Sequence, residues 1–272
     1  MVQRPRSHPH RPASPAHGRP RHAPAPSAPA DAAETVHGLR AGLAVLARRR
    51  DEVLRVAYAR EVRAELGDVP RWCTSNHVPC EERSAAELDR IAETRHHEGL
   101  CVAVRPRRWL STADLADTLA RAKGTAVALD RVRNPYNIGA ILRSAAFFGV
   151  DAVLLGTPAP HPGLAATAVQ VAEGGAEHVL TARTTDLADT LGRLRARGVR
   201  VVGADGEATV SATGFAFGRP AILVMGNERE GLGERVRAQC DAVVAVRGTG
   251  RIESLNVAVA AGVLVAEMMR SR

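Results

Sequence analysis

The sequence predicts an α/β protein in which a small mixed domain precedes a larger domain built on a parallel sheet. Two observations support this fold class. From residue 125 onward, short apolar runs alternate with helical segments, the pattern of βαβ units whose parallel sheet is covered on both faces. The 272-residue chain is long enough for one large or two ordinary domains. Since only 3% of the residues are aromatic, the cores are expected to be aliphatic.

Residues 1–35 are rich in proline, arginine, histidine and alanine and show no hydrophobic period. Such a segment buries too little apolar surface to offset the entropy lost on ordering, so we predict a disordered tail. Its arginines suit non-specific contact with phosphate groups, although a dispensable tail is the simpler interpretation.

Residues 36–108 are predicted to form the small domain. Ser84 has Glu87 three residues later, which is the spacing of a capping box and indicates a helix start. The expected elements are a helix from Val36, a strand at 53–57, a helix at 84–94 and a strand at 99–104.

Residues 109–124 are predicted to be a linker helix, and residues 125–272 the larger domain. Its strands are expected at 125–132, 152–155, 179–181, 199–203, 221–225 and 243–246. Its helices are expected at 138–148, 164–173, 186–197 and 233–240, followed by a last helix after Ser254. That helix is apolar almost all round, so it must be buried by its own domain or by a partner chain.

The net charge of +8 and the pI near 10.4 favour a polyanionic partner, above all nucleic acid, over a merely basic surface. No apolar run is long enough to cross a bilayer, and the N-terminus lacks the apolar core of a signal peptide. Four unevenly spaced cysteines do not suggest a disulfide framework. We therefore predict a soluble cytoplasmic protein without a membrane span.

Three polar loops follow predicted strands or precede helices, where ligands gather in open parallel sheets. The first contains Asn137, a candidate helix cap, and leads to Arg143. The second is the glycine-bounded loop around Glu228. The third contains Ser254, a candidate N-cap, and Asn256, and two such side chains at a buried helix end favour an anionic or electron-rich ligand. Taken singly, each loop also fits an ordinary cap, a solvent-facing arginine or a hairpin.

Other sites are less well supported. No G-x-G-x-x-G turn follows the first strand of the larger domain and no Walker lysine motif occurs, which disfavours a dinucleotide or P-loop site. Cys73, His77 and Cys80 lie close enough in sequence for zinc, but no second pair has matching spacing. We expect no metal site.

Taken together, the three loops resemble the motifs of the SpoU-type (TrmH-like) RNA ribose 2′-O-methyltransferases of the knotted (SPOUT) superfamily. The matching stretches, in order, are NPYNIGAILRSAAFFGVDAVLL, ILVMGNEREGL and IESLNVAVAAGVL. The resemblance covers residues 125–270, and the small domain resembles, more loosely, the RNA-binding module of many members. It implies a deep C-terminal trefoil knot, S-adenosylmethionine as cofactor, RNA as substrate and a homodimer with its site near the interface.

The resemblance also implies site residues. The catalytic positions are Asn137, Arg143, Glu228, Ser254 and Asn256, and the cofactor positions, which act mostly through backbone, are Gly226, Val246 and Leu255. One departure is Arg247, where the family commonly has proline, so the stiffer loop is lost.

The predicted activity is methylation of a ribose 2′-hydroxyl in structured RNA, with ribosomal RNA favoured over transfer RNA. Because a guanidinium group does not readily lose its proton, we expect Arg143 to orient a phosphate rather than act as the base. The alternatives are a non-catalytic RNA-binding or ribosome-assembly protein on the same fold and, less well supported, a nucleotide-dependent metabolic enzyme.

Overall fold

Two β-sheets organise the computed structural model, which describes residues 33–156 and 164–270. Residues 1–32 of the predicted tail lie outside the described residues. The first sheet and its helices comprise β1 (Glu34–His37), α1 (Leu39–Arg48), β2 (Val53–Tyr58), α2 (Val69–Ser75), β3 (Cys80–Glu82), α3 (Ala85–Ala92) and β4 (Leu100–Val104). The strand order is β1-β4-β2-β3, with β4 antiparallel to both of its neighbours.

The start of this part differs from the prediction. Val36 was expected to begin a helix, but that prediction was wrong. Glu34 to His37 form a strand because they pair antiparallel with β4, where Val36 lies opposite Val102. Gly38, at φ 101°, then turns the chain, and the helix begins at Leu39. The short elements α2 and β3 were not predicted.

The capping box was predicted correctly. The backbone N–H and the hydroxyl of Ser84 donate to Glu87 Oε2 at 2.9 and 2.7 Å, and α3 begins at the next residue. These bonds satisfy polar groups that the first helical turn leaves without an internal partner.

The larger part contains α4 (Thr112–Ala122), β5 (Thr125–Asp130), α5 (Pro135–Phe148), β6 (Ala152–Gly156), α6 (Ala166–Val171), β7 (Leu180–Thr184), α7 (Leu187–Ala196), β8 (Arg200–Ala204), β9 (Val210–Ser211), β10 (Ala221–Met225), α8 (Glu234–Arg237), β11 (Ala242–Ala245) and α9 (Val257–Arg270). The strands form one sheet in the order β7-β6-β5-β10-β8-β11-β9. Every pairing between these strands is parallel, which confirms the predicted α/β class.

Helices cover both faces of this sheet. Along β5, Val127 and Leu129 belong to a core shared with α5, α6 and α9, whereas Ala126 and Ala128 belong to a second core shared with α4, α7 and α8. Side chains on a strand alternate between faces, so one strand contributes to both cores. The first core continues into the small part, which includes buried Val102. Among the described residues, no helix is both long and apolar enough to span a bilayer.

Candidate active site

A cavity of about 350 Å³ opens at the carboxyl ends of β8, β10 and β11. Ligands bind at this end of open parallel sheets, and the volume lies within the roughly 300–1,000 Å³ of small-molecule sites. All three predicted cofactor positions and two of the predicted catalytic positions line it, namely Gly226, Val246, Leu255, Glu228 and Ser254.

A tight loop after β10 forms one wall of the cavity. Asn227 and Gly231 exchange two backbone hydrogen bonds of 3.0 and 2.9 Å, which fold the loop back on itself. A Cβ on Gly226 would lie 2.4 Å from the carbonyl carbon of Gly231, closer than real Cβ contacts, so glycine is needed here. The loop therefore holds Glu228 at the cavity through the close approach of two backbone segments.

The second carboxylate of this loop has a structural partner. Arg131, just after β5, forms an ion pair with Glu230 and donates to the carbonyl of Gly231 at 3.1 Å. Its hydrogen bonds with Asp130, followed by its interaction with Glu230, raise the pKa of the Arg131 guanidinium above its usual value. These contacts fasten the loop to β5 and leave Glu228 as the carboxylate of this loop that lines the cavity.

A chain of side-chain hydrogen bonds joins the three loops. Asn256 Nδ2 donates to Asn137 Oδ1 at 3.1 Å, and Asn137 Nδ2 donates to Glu228 Oε1. Residues 119 positions apart in sequence thus meet directly. The structure brings together Asn137, Glu228 and Asn256, and it places Ser254 in the adjoining cavity wall.

The groups at the two ends of this series of side-chain hydrogen bonds set the direction of the bonds. The backbone N–H groups of Ala258 and Val259 can only donate, and they bond Asn256 Oδ1 at 2.9 and 3.3 Å. The Asn256 amide must therefore donate onward to Asn137. At the other end, the Asn137 amide points its nitrogen at Glu228, because a carboxylate only accepts. The amide orientations are mutually consistent.

Two predicted helix caps were wrong. Helix α9 begins at Val257 and its cap is Asn256 rather than Ser254, because the amide oxygen of Asn256 reaches the first-turn N–H groups. The cap of α5 is Asn134, which accepts from the N–H of Tyr136 at 2.9 Å, so Asn137 lies inside the first turn.

The start of α9 is also more open than predicted. Ser254 and Asn256 are both exposed, and later in the helix Val259 and Val263 remain 54% and 42% exposed. In the single chain, α9 is therefore buried on one side only. Two of its free N–H groups bind Asn256 itself, which leaves fewer donors for a ligand than the sequence suggested.

Arg143 lies apart from this cluster within one chain. It is on α5, as predicted, but it is absent from the cavity wall, and its Nη1 pairs with Glu173 Oε1 at 2.8 Å. Arg143 lies six residues after Asn137 on the helix, so its side chain projects from a different face, which accounts for the separation. Half of the arginine side chain is exposed.

Two further residues, Arg247 and Asp205, line the cavity although neither was predicted as a site residue. Arg247 lines the cavity and donates to the carbonyl of Thr209, so it ties the third loop to the segment between β8 and β9. Asp205 also lines the cavity, and it forms an ion pair with Arg237. Its position two residues after the predicted strand at 199–203 was the available signal.

Cys73, His77 and Cys80 were the candidate zinc ligands in the sequence. Among the described residues, no group of three histidine, cysteine or acidic side chains could hold a metal ion. Burial raises the pKa of the Cys73 thiol to about 12.

Family models match both parts of the chain. Residues 124–266 match the SpoU rRNA methylase family, and residues 35–110 match the RNA 2′-O ribose methyltransferase substrate-binding family. The first match covers more than half of the chain.

Individual relatives agree with these matches. An uncharacterized tRNA/rRNA methyltransferase of Mycobacterium marinum is 35% identical over 96% of this chain and 88% of its own. The 23S rRNA (guanosine-2′-O-)-methyltransferase RlmB of Vibrio cholerae is 39% identical over 72% of this chain and 79% of its own.

Solved structures show the same fold. An rRNA methyltransferase from Sinorhizobium meliloti superposes with a TM-score of 0.71 at 24% identity, covering 88% of this chain and 87% of that one. The SpoU methyltransferase AviRb from Streptomyces viridochromogenes, solved with AdoMet, gives a TM-score of 0.70 at 22% identity, with coverage of 88% and 90%. The chain belongs to the SpoU rRNA methylase family of RNA methyltransferases.

Proposed function

We propose that the protein transfers a methyl group from S-adenosylmethionine to a ribose 2′-hydroxyl of ribosomal RNA. The observation that carries this proposal is the hydrogen-bonded chain from Asn256 through Asn137 to Glu228 beside the cavity. The relative from Vibrio cholerae, whose name is 23S rRNA (guanosine-2′-O-)-methyltransferase RlmB, supports both ribosomal RNA and the ribose oxygen.

The cavity residues fit S-adenosylmethionine. Apolar side chains, including Met225, Val244 and Leu264, offer a surface for an aromatic base, whereas Asp205 and Ser254 offer polar contacts for an amino-acid portion and a sugar. A Cβ on Gly206 would meet nothing within 4 Å, so open space adjoins the backbone there. When bound, the cofactor supplies an activated methyl group on a sulfonium.

The protein side chains have to position a poor nucleophile. A ribose hydroxyl is a very weak acid, and methyl transfer is an in-line displacement, so orientation supplies much of the rate. We assign Ser254 and Asn256 to holding the ribose and the cofactor, and Glu228 to fixing the amide of Asn137. Arg143 binds the phosphate beside the target ribose in a bidentate contact that orients the hydroxyl.

Cofactor binding and RNA methylation test this function directly. Isothermal titration with S-adenosylmethionine is expected to show one site per chain, and unmodified 23S ribosomal RNA is expected to accept label from the methyl-tritiated cofactor. Mapping ribose methylation in RNA from a deletion strain against its parent would identify the nucleotide. Absence of cofactor binding at millimolar concentration would instead support a non-catalytic RNA-binding or ribosome-assembly protein. Label in transfer RNA alone would change the substrate.

We further propose that the chain is a homodimer with a C-terminal trefoil knot, acting in the cytoplasm where ribosomal RNA is processed. The family membership supports the knot, and α9 lies against α5 after the third loop. These two packed helices leave Phe147 83%, Val259 54% and Val263 42% exposed. Large apolar side chains on neighbouring helices suit burial by a second copy.

Replacing Val259 with glutamate is expected to convert this dimer to a monomer, because a carboxylate would be buried in an apolar interface. Light scattering after size-exclusion chromatography measures the mass. Leu180→Glu, at a similarly exposed residue on β7, serves as the control and should leave the mass unchanged. A Val259→Glu protein with the wild-type mass would place any interface elsewhere.

A further inference from the structure

Two arginines from different parts of the chain share one carboxylate. Arg40 of α1 and Arg143 of α5 each place Nη1 at 2.8 Å from Glu173, the first on Oε2 and the second on Oε1. Their side chains are 71% and 54% exposed, so both guanidinium groups face solvent. The cluster spans the small part, which matches a substrate-binding family, and the catalytic part.

The turn that presents Glu173 is wedged between the two helices. A Cβ on Gly174 would lie 2.8 Å from the Cβ of Ala44 on α1, and one on Gly175 would lie 3.0 Å from the Cα of Arg143 on α5. The backbone thus touches both helices, and this close packing fixes the carboxylate between the two arginines.

Glu173 itself has a left-handed backbone conformation, with φ 45°. It directly follows Ala172, the C-cap of α6, a position where helices commonly end in a left-handed residue. Exposed ion pairs contribute little to stability, so the two ion pairs alone do not explain the arrangement. Both guanidinium groups can therefore bind a ligand at little cost in stability.

The charges favour an anion at this cluster. Two guanidinium groups face one carboxylate, which leaves a net charge of +1, and each guanidinium retains further N–H donors. The N–H donors of arginine match the geometry of a phosphate group. Two arginines that bind the same carboxylate are also close enough to bind the same phosphate.

We propose that Arg40 is a second phosphate contact for the RNA substrate, acting with Arg143 across the two parts, and that Glu173 holds both guanidinium groups ready. RNA phosphate binds the N–H donors of the two guanidinium groups that Glu173 leaves free. This inference rests on the proposed function, since it gives Arg143 a phosphate to orient. It assigns Arg40 to substrate binding and Glu173 to positioning.

Arg40→Ala tests the phosphate contact, with unmodified 23S ribosomal RNA transcribed in vitro as the probe. The Kd is expected to rise about tenfold at low salt, and the slope of log Kd against log salt to fall by about one, because one phosphate contact is lost. Arg193→Ala is the control, since Arg193 on α7 is also 71% exposed and paired, with Asp189. It is expected to stay within about twofold of wild type.

Two further variants distinguish a role of Arg40 and Glu173 in RNA binding from a purely structural role. In an Arg143→Ala background, Arg40→Ala is expected to add little, because the shared phosphate has already lost one partner. Glu173→Gln removes the competing charge and is expected to tighten RNA binding about threefold at low salt. A purely structural Glu173 would give unchanged or weaker binding, and that result would overturn its assignment.

Cofactor titration and methyl transfer, measured on the same preparations, keep this inference distinct from the proposed function. If wild type methylates RNA while Arg40→Ala binds it as Arg193→Ala does, the phosphate contact is wrong and the function stands. If wild type binds RNA but not the cofactor, the enzyme function is wrong, whereas the effect of Arg40→Ala on the Kd for RNA still tests the phosphate contact. No RNA binding by wild type overturns both.

Discussion

Arg143→Lys is expected to lower the rate of methyl transfer by about two orders of magnitude, the typical loss when one positioned donor is removed from a reacting centre. Lysine keeps the positive charge and can still pair with Glu173, but it lacks the planar fork that binds two phosphate oxygens at once. Arg143 is half exposed on α5, and lysine is a comparably good helix former, so the fold should be retained.

Single-turnover transfer of tritiated methyl to 23S ribosomal RNA measures this effect. Arg193→Lys, the same exchange at an exposed and paired arginine on α7, provides the control and should retain the wild-type rate. Cofactor affinity should be unchanged in both proteins. Near-wild-type turnover of Arg143→Lys would refute the bidentate phosphate contact.

Gly226→Ala is expected to destabilise the protein by about 1–3 kcal/mol, the usual range for overpacking a tight site. The added Cβ would lie 2.4 Å from the carbonyl carbon of Gly231 and 2.6 Å from the nitrogen of Leu232. Both are backbone atoms, so a rotamer change cannot relieve the contact. The loop must shift, and Glu228 shifts with it, so cofactor affinity should fall as well.

Thermal unfolding and cofactor titration together check this prediction. Gly206→Ala is the control for stability, because it adds the same methyl group to the same cavity wall where a Cβ meets nothing within 4 Å. Equal unfolding temperatures for the two variants would show that the loop around Gly231 can move freely.

Strand positions followed from composition because β-strands buried on both faces read as continuous apolar runs. β10, Ala221–Met225, has the predicted bounds for this reason. β1 was missed because its four residues run into a helix without a break in apolar pattern, and only pairing with β4 makes them a strand. Tertiary pairing overrode local preference there.

The side-chain partners within the site were harder to predict. Asn134 followed by proline at the first helical position is a standard helix start, and it was available in the sequence. The contact between Asn137 and Asn256 depends on how two distant loops meet in space, which no local spacing encodes. The sharing of Glu173 by Arg40 and Arg143 likewise depends on packing between α1 and α5. The catalytic roles of these residues stay predictions.

The strand order of the larger sheet has a consequence for synthesis on the ribosome. β5, β6 and β7 can pair as they emerge, but the other edge of β5 stays open until β10 is made, because β5 ends at Asp130 and β10 begins at Ala221. An exposed apolar strand edge is a template for aggregation, and distant pairing slows folding. The nascent chain should therefore depend on chaperones during this interval, and this dependence should end once β10 inserts beside β5.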